Sequence, residues 1–342
     1  MVKKRATLLG AMLRAGKQQR RSAARLIGAL VASPSSRKKA AASPRTAAAP
    51  GRWLSLHFSS LTARMRYWLY LPASVPPGAA MPLLVMLHGC EQTATSFAEG
   101  TRMNTLAEKA GYAVLYPQQS ATAHPQRCWK WYDRATQQGG GDAATIAALV
   151  RAVLLAYPID RSRIYIAGIS AGAAMAHIVA LHHPDVFAAV GLHSGPVFGA
   201  GHSTIGALGV MQHGAASRSE AAIAEVLAGQ PGRLALPTIV IHGEDDAVVR
   251  PVNQMQLAGQ AMHLNGSATQ TEKLTAKLAT TRTRAYQVRD VLRGRQLVLR
   301  LVRIAGLQHA WSGGDPRYKF NAAPGPDAGK MMLAFFARQR LI

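Results

Sequence analysis

The pentapeptide Gly168-Ile169-Ser170-Ala171-Gly172 stands where an apolar stretch, Ile164 to Ala167, gives way to an alanine-rich one, Ala171 to Leu181. A serine on a strand-to-helix turn has a strained and closely packed backbone, so it needs small residues two before and two after it. The N-terminus of the following helix then faces any oxyanion formed at the serine. Ser170 is therefore a candidate nucleophile, but a serine hydroxyl attacks poorly unless an imidazole takes its proton.

Twelve histidines compete for that role. His57, His124, His202, His213 and His263 lie in segments without a strand-end signal, and His177, His182 and His183 lie on or just after the nucleophile helix. His88, His193, His242 and His309 each follow a predicted strand, where loops converge at the carboxyl edge of a parallel sheet. His309 follows the last strand. A serine turn of this kind goes with the chain order serine, acid, histidine, which favours His309 as the base.

The acid then belongs after the strand Thr238 to Ile241, in His242-Gly243-Glu244-Asp245-Asp246. One of these carboxylates must hold the His309 tautomer while the others face water, and strand spacing does not choose between Asp245 and Asp246. The oxyanion donors expected of such a site are the N–H after the nucleophile, Ala171, and one in the loop after an earlier strand, Cys90 in His88-Gly89-Cys90.

Elements consistent with this site run through the chain. Arg66 to Leu71, Leu83 to Leu87, Tyr112 to Tyr116, Ile164 to Ala167, Phe187 to Leu192, Thr238 to Ile241 and Leu297 to Ile304 read as strands. Asp142 is expected to cap a helix whose Ile146, Leu149, Val150, Val153 and Leu154 keep helical spacing until Pro158. Asp327 to Arg338 reads as a closing helix. Strands alternating with helices predict an α/β domain with a mostly parallel sheet covered on both faces. Residues 253–296 are polar and weakly periodic, and predict an excursion between the last two strands.

At 342 residues with 49% hydrophobic and 16% charged residues, the chain can fill one large core, which excludes a disordered tail protein. No apolar run approaches the roughly 20 residues needed to cross a bilayer. The formal charge is +24, and residues 1–90 hold 15 of the 40 basic residues and no acidic one. We divide the chain into a basic extension, 1–52, and one catalytic-size domain, 53–342.

The extension could lie on an anionic lipid or granule surface as an amphipathic helix, remain a disordered basic arm, or serve as an export signal. Its charge calls for an anionic partner. The two cysteines, Cys90 and Cys128, are too few for a disulfide scaffold and lack zinc spacing; they either pair once or are two thiols.

Together these residues resemble the polyhydroxybutyrate (PHB) depolymerase family of esterases, which also includes feruloyl and acetylxylan esterases of the α/β-hydrolase fold. The resemblance rests on Leu87-His88-Gly89-Cys90-Glu91-Gln92, Cys128-Trp129-Lys130-Trp131-Tyr132, Gly168 to Met175, His242-Gly243-x-x-Asp246 and His309-Ala310-Trp311-Ser312-Gly313-Gly314, and covers about residues 60 to 338. It implies a Ser170-His309-Asp246 triad, an oxyanion N–H at Cys90, and a Cys90–Cys128 disulfide beside the site.

By the same resemblance Trp129, Trp131 and Trp311 would line the cleft, although aromatics beside motifs are as often core residues. Only 33 residues follow His309, too few for an appended polymer-binding domain, so soluble oligomers or small esters are expected over a crystalline polymer unless the basic N-terminal arm does the docking. No metal or organic cofactor and no specific nucleic acid is implied. A disulfide fits an extracellular or periplasmic protein, and free thiols a cytoplasmic, granule-associated one. The competing expectations are a feruloyl or acetylxylan esterase and a basic granule- or nucleic-acid-binding protein on a hydrolase scaffold.

Overall fold

The computed structural model describes residues 49–61, 63–230, 235–266, 270–281 and 283–341. The amphipathic or export segment expected within residues 1–48 lies outside them. Ten strands form one sheet: β1 (Arg52–Ser59), β2 (Arg64–Leu71), β3 (Met81–Leu87), β4 (Ala113–Gln118), β5 (Ile159–Ile169), β6 (Ala189–His193), β7 (Thr238–Gly243), β8 (Gln270–Lys277), β9 (Tyr286–Arg293) and β10 (Gln296–Ile304). Their order is β1-β2-β4-β3-β5-β6-β7-β10-β9-β8. The six central strands, from β4 to β10, run parallel, while the two strands at each margin pair antiparallel.

Helices cover both faces. They are α1 (Ala94–Thr101), α2 (Met103–Ala110), α3 (Arg134–Gln137), α4 (Gly141–Ala156), α5 (Ala171–His182), α6 (Thr204–His213), α7 (Arg218–Ala228), α8 (Val252–Leu264) and α9 (Ala328–Phe336). Successive side chains of a strand point to opposite faces, so a strand covered twice needs an unbroken apolar run. In β3, Leu83, Val85 and Leu87 enter the core under α4 and α5, while Leu84 and Met86 enter the one under α1 and α9. This explains why all seven residues of β3 are buried.

Asp142 does not cap α4, whose N-cap is Gly140. Its carboxylate instead accepts hydrogen bonds from Gln119 Nε2 (2.7 Å) and the Lys130 N–H (3.2 Å), which ties the loop after β4 to the helix.

Two sheet margins escaped the sequence patterns. The first is β1, which begins at Arg52 and pairs with β2 along its length; Leu54, Leu56 and Phe58 alternate toward the core, and its other residues are exposed. The second is residues 253–296, where the predicted excursion is instead α8 followed by β8 and β9, which widen the sheet. Val291 of β9 is buried in the core, and polar pairs tie the strands of this extension together. Arg300 on β10 faces Asp290 on β9 in register, with Nε to Oδ1 at 2.7 Å, and Arg289 pairs with Glu272 of β8. Cross-strand ion pairs leave no hydrophobic period in a sequence.

Candidate active site

Ser170 lies between β5 and α5 with φ 56° and ψ −124°, a region that L-residues other than glycine seldom enter. The strain is held from outside: the Ser170 N–H donates to the His193 carbonyl at 2.9 Å, and the Ser170 carbonyl accepts from the N–H of Ala173 and of Ala174. A β-carbon on Gly172 would collide with the Leu87 carbonyl oxygen, and one on Gly168 with the Gly172 backbone. Both glycines are therefore demanded by contact as well as by the turn. As the first residue of α5, Ala171 has an N–H with no intrahelical acceptor.

The acidic loop after β7 separates its three carboxylates by environment. Glu244 and Asp245 are exposed, and Asp246 is buried. Asp246 Oδ1 accepts the N–H groups of Val248 (3.0 Å) and Val249 (2.9 Å), and its Oδ2 lies 2.8 Å from His309 Nδ1. Burial pushes the Asp246 pKa up. The charge and hydrogen bond of His309, with help from His242 and the Val249 N–H, outweigh it and leave the carboxyl below its ordinary range. Of the two candidates that strand spacing left open, Asp246 is the one in contact with His309.

His242 supports the same loop. Its Nε2 lies 2.7 Å from the Val249 carbonyl and 3.4 Å from Asp246 Oδ2, so the imidazole closes the turn that carries the carboxylate. His193 stacks on Trp311 with ring centroids 5.0 Å apart, and its Nε2 accepts the Ser312 N–H at 3.2 Å. Burial, first, and then the neighbouring His242 and His309 lower its pKa to about 3, so it stays neutral. The three histidines not favoured as base are thus structural: His193 and His242 brace the loops carrying His309 and Asp246, and His88 braces the loop after β3.

In that loop His88 Nδ1 donates to the Gly89 carbonyl (2.8 Å), and its Nε2 accepts the Gln119 N–H (3.1 Å). The Trp129 indole N–H donates to the His88 carbonyl at 3.0 Å, Gly89 N–H donates to Gln92 Oε1 at 2.8 Å, and Glu91 N–H to the Gln126 carbonyl at 2.6 Å. Cys90 lies between these tethers and is joined to Cys128 by a disulfide.

Two small cavities meet at Ser170 and Cys90. One also contains His309, Gln92 and Phe320. The other is walled by His124, Trp131, Tyr132, Pro196, Ala207 and Met211. A larger cavity, lined by Arg134, His182, Phe198, His202, Arg218 and Glu225, holds none of the candidate catalytic residues.

Of the three tryptophans expected in the cleft, only Trp131 lines it. Trp129 and Trp311 have no exposed surface: Trp129 is fixed by its bond to His88, and Trp311 is wedged edge-on against Phe97 and flat against His193. That is a correction to the cleft expectation, and its reason is that a flat ring beside a motif can brace the loop from behind as well as face the ligand. The sequence patterns passed over Phe320 and Met211, gave Tyr132 no role within its motif, and set His124 aside. They sit on loops or helix faces from which no period points to the cleft.

A family model described as "Esterase PHB depolymerase" matches residues 65–285. This chain belongs to that family. Among relatives, it is 30% identical to poly(3-hydroxyalkanoate) depolymerase C of Paucimonas lemoignei over 214 residues, 61% of this chain and 51% of that protein. It is 34% identical to feruloyl esterase B of Neurospora crassa over 141 residues, covering 41% and 47% of the two chains. This family member spans about half the length of the relatives it matches.

An acetyl xylan esterase from Aspergillus awamori superposes with a TM-score of 0.66 at 20% identity, covering 84% of this chain and 99% of that one. The architecture is the α/β-hydrolase fold, as the resemblance implied. Among the described residues, no helix is long and apolar enough to cross a membrane.

Proposed function

We propose that the protein is a serine esterase that cleaves carboxylic esters through an acyl-enzyme. Ser170 Oγ attacks the ester carbonyl carbon as His309 Nε2 takes its proton. Asp246 holds the proton-bearing Nδ1 of His309 and stabilises the imidazolium. The N–H groups of Ala171 and Cys90 receive the oxyanion. His309 then returns the proton to the leaving alcohol, and water, activated by the same histidine, releases the acid. The observation that carries this reading is the 2.8 Å contact of His309 with Asp246, in a site where Ser170 and His309 line one cavity.

Substrates of the poly- or oligo(3-hydroxybutyrate) type, or other short-chain esters, fit the family and the small cavities beside Ser170. Feruloyl or acetylated-sugar esters are the alternative, supported by the relatives bearing those names. The disulfide supports folding in an oxidising compartment, outside the cytoplasm. Residues 1–48, with 12 basic residues and no acidic one, suit docking on an anionic surface.

The test is Ser170→Ala. Hydrolysis of 4-nitrophenyl butyrate should fall by at least about 10⁴-fold in a protein of unchanged circular dichroism. A variant that keeps wild-type rates removes Ser170 from the chemistry.

A further inference from the structure

The two cavities at Ser170 are chemically unequal, and the difference assigns them. A base that protonates the leaving alcohol must stand beside that alcohol, so the cavity containing His309 and Phe320 receives the alcohol half of the ester. The other cavity, which shares Ser170 and Cys90 but lacks His309, receives the acyl half. Its walls are Trp131, Tyr132, Pro196, Ala207 and Met211, all apolar surfaces except the phenol and the disulfide edge, and one wall residue is an imidazole, His124.

That imidazole is fixed in one state. The N–H groups of Gln126 and Cys128 both point at His124 Nδ1, at 3.3 and 3.4 Å, so Nδ1 is the acceptor and the proton sits on Nε2. Burial, with Lys130 nearby, lowers its pKa and keeps the ring neutral. Among the described residues Nε2–H has no hydrogen-bond partner. A narrow apolar pocket with one donor suits an aliphatic acyl chain that carries one acceptor.

We propose that His124 is a specificity-determining residue. It donates Nε2–H to an oxygen on the third carbon of a short acyl group, the hydroxyl of a terminal 3-hydroxyacyl unit or the ester oxygen of an internal one. This rests on the serine-esterase reading above and names the acyl class for the same site.

The test compares kcat/KM for the 4-nitrophenyl esters of 3-hydroxybutyrate and of butyrate, which differ by that one hydroxyl. The wild type favours the hydroxylated ester by about tenfold, the value of one well-made hydrogen bond. In His124→Asn the amide oxygen still meets the Gln126 and Cys128 N–H groups but the donor is withdrawn, and the ratio falls to about one.

A wild-type ratio near one, an unchanged ratio in His124→Asn, or faster turnover of 4-nitrophenyl ferulate than of either butyryl ester overturns the proposal. Should the variant fail to fold, the wild-type ratio still decides. Activity that survives in Ser170→Ala on both esters would instead overturn the underlying serine-esterase reading.

Discussion

Gly172, the second residue of α5, packs so closely on Leu87 at the end of β3 that a β-carbon would overlap the Leu87 carbonyl oxygen. The obstacle is backbone on a central strand, which cannot rotate aside. Gly172→Ala should lower the unfolding free energy by about 3 kcal/mol or more, read as a shift in the urea midpoint. A midpoint within error of wild type would mean that the strand and helix can part freely.

Asp246 differs from Asp245 by one position and by everything around it. Asp246→Asn preserves an oxygen for the Val248 and Val249 N–H groups but turns an amide toward His309, which disfavours the tautomer needed for proton transfer. We expect kcat to drop by about 10⁴-fold with little change in KM. Asp245→Asn, at an exposed carboxylate, should stay within about twofold, and steady-state kinetics on one chromogenic ester compares the pair.

Acidification should destabilise the fold before it protonates the carboxylates. Burial, with a minor contribution from Arg127, lowers the His88 pKa to about 4, against 6.5 in a solvated chain, while the Gly89 carbonyl opposes the shift. Between those two values the unfolded chain binds the proton and the folded one does not. Stability therefore falls as pH drops through that window, by about 3 kcal/mol from this residue alone. Urea midpoints measured from pH 7 to pH 4 should decline, and His88→Gln should flatten the decline; equal slopes would remove His88 as its source.

The Cys90–Cys128 bridge closes a segment of 38 residues around the loop after β3. Opening it restores chain entropy to the unfolded state, worth about 3 to 4 kcal/mol on a loop-closure account. Cys128→Ser should lower the melting temperature and also reduce kcat, because the Cys90 N–H loses a tether. Wild-type kcat in Cys128→Ser would argue that hydrogen bonds alone hold that donor.

Deleting residues 1–48 removes 12 positive charges. The shortened chain should keep its kcat on a soluble ester and lose binding to anionic vesicles, which in the full chain should weaken steeply with added salt. Vesicle sedimentation across a salt series, with both chains, distinguishes the two outcomes.

Much of the site was readable because its signals are local. The glycines around Ser170 answer to a backbone turn and a close contact, the continuous apolar run of β3 answers to a strand buried on both faces, and His309 stood out among 12 histidines by following the last central strand. At one margin of the sheet, β8 and β9 were not read as strands. β8 and β9 are held by backbone pairing and by Arg–Glu and Arg–Asp pairs, and such contacts join residues without any periodic mark.

What the chain's order of residues determined alone was the set of chemical types and the strand-to-helix turn that presents Ser170, since both depend on near neighbours. Tertiary structure decided which carboxylate meets His309, which of the three tryptophans faces the cavity, and that His124 stands beside the serine. Those outcomes depend on the angles at which loops from separate strands converge, and distances across a fold are set by packing between segments rather than by the order of residues within one.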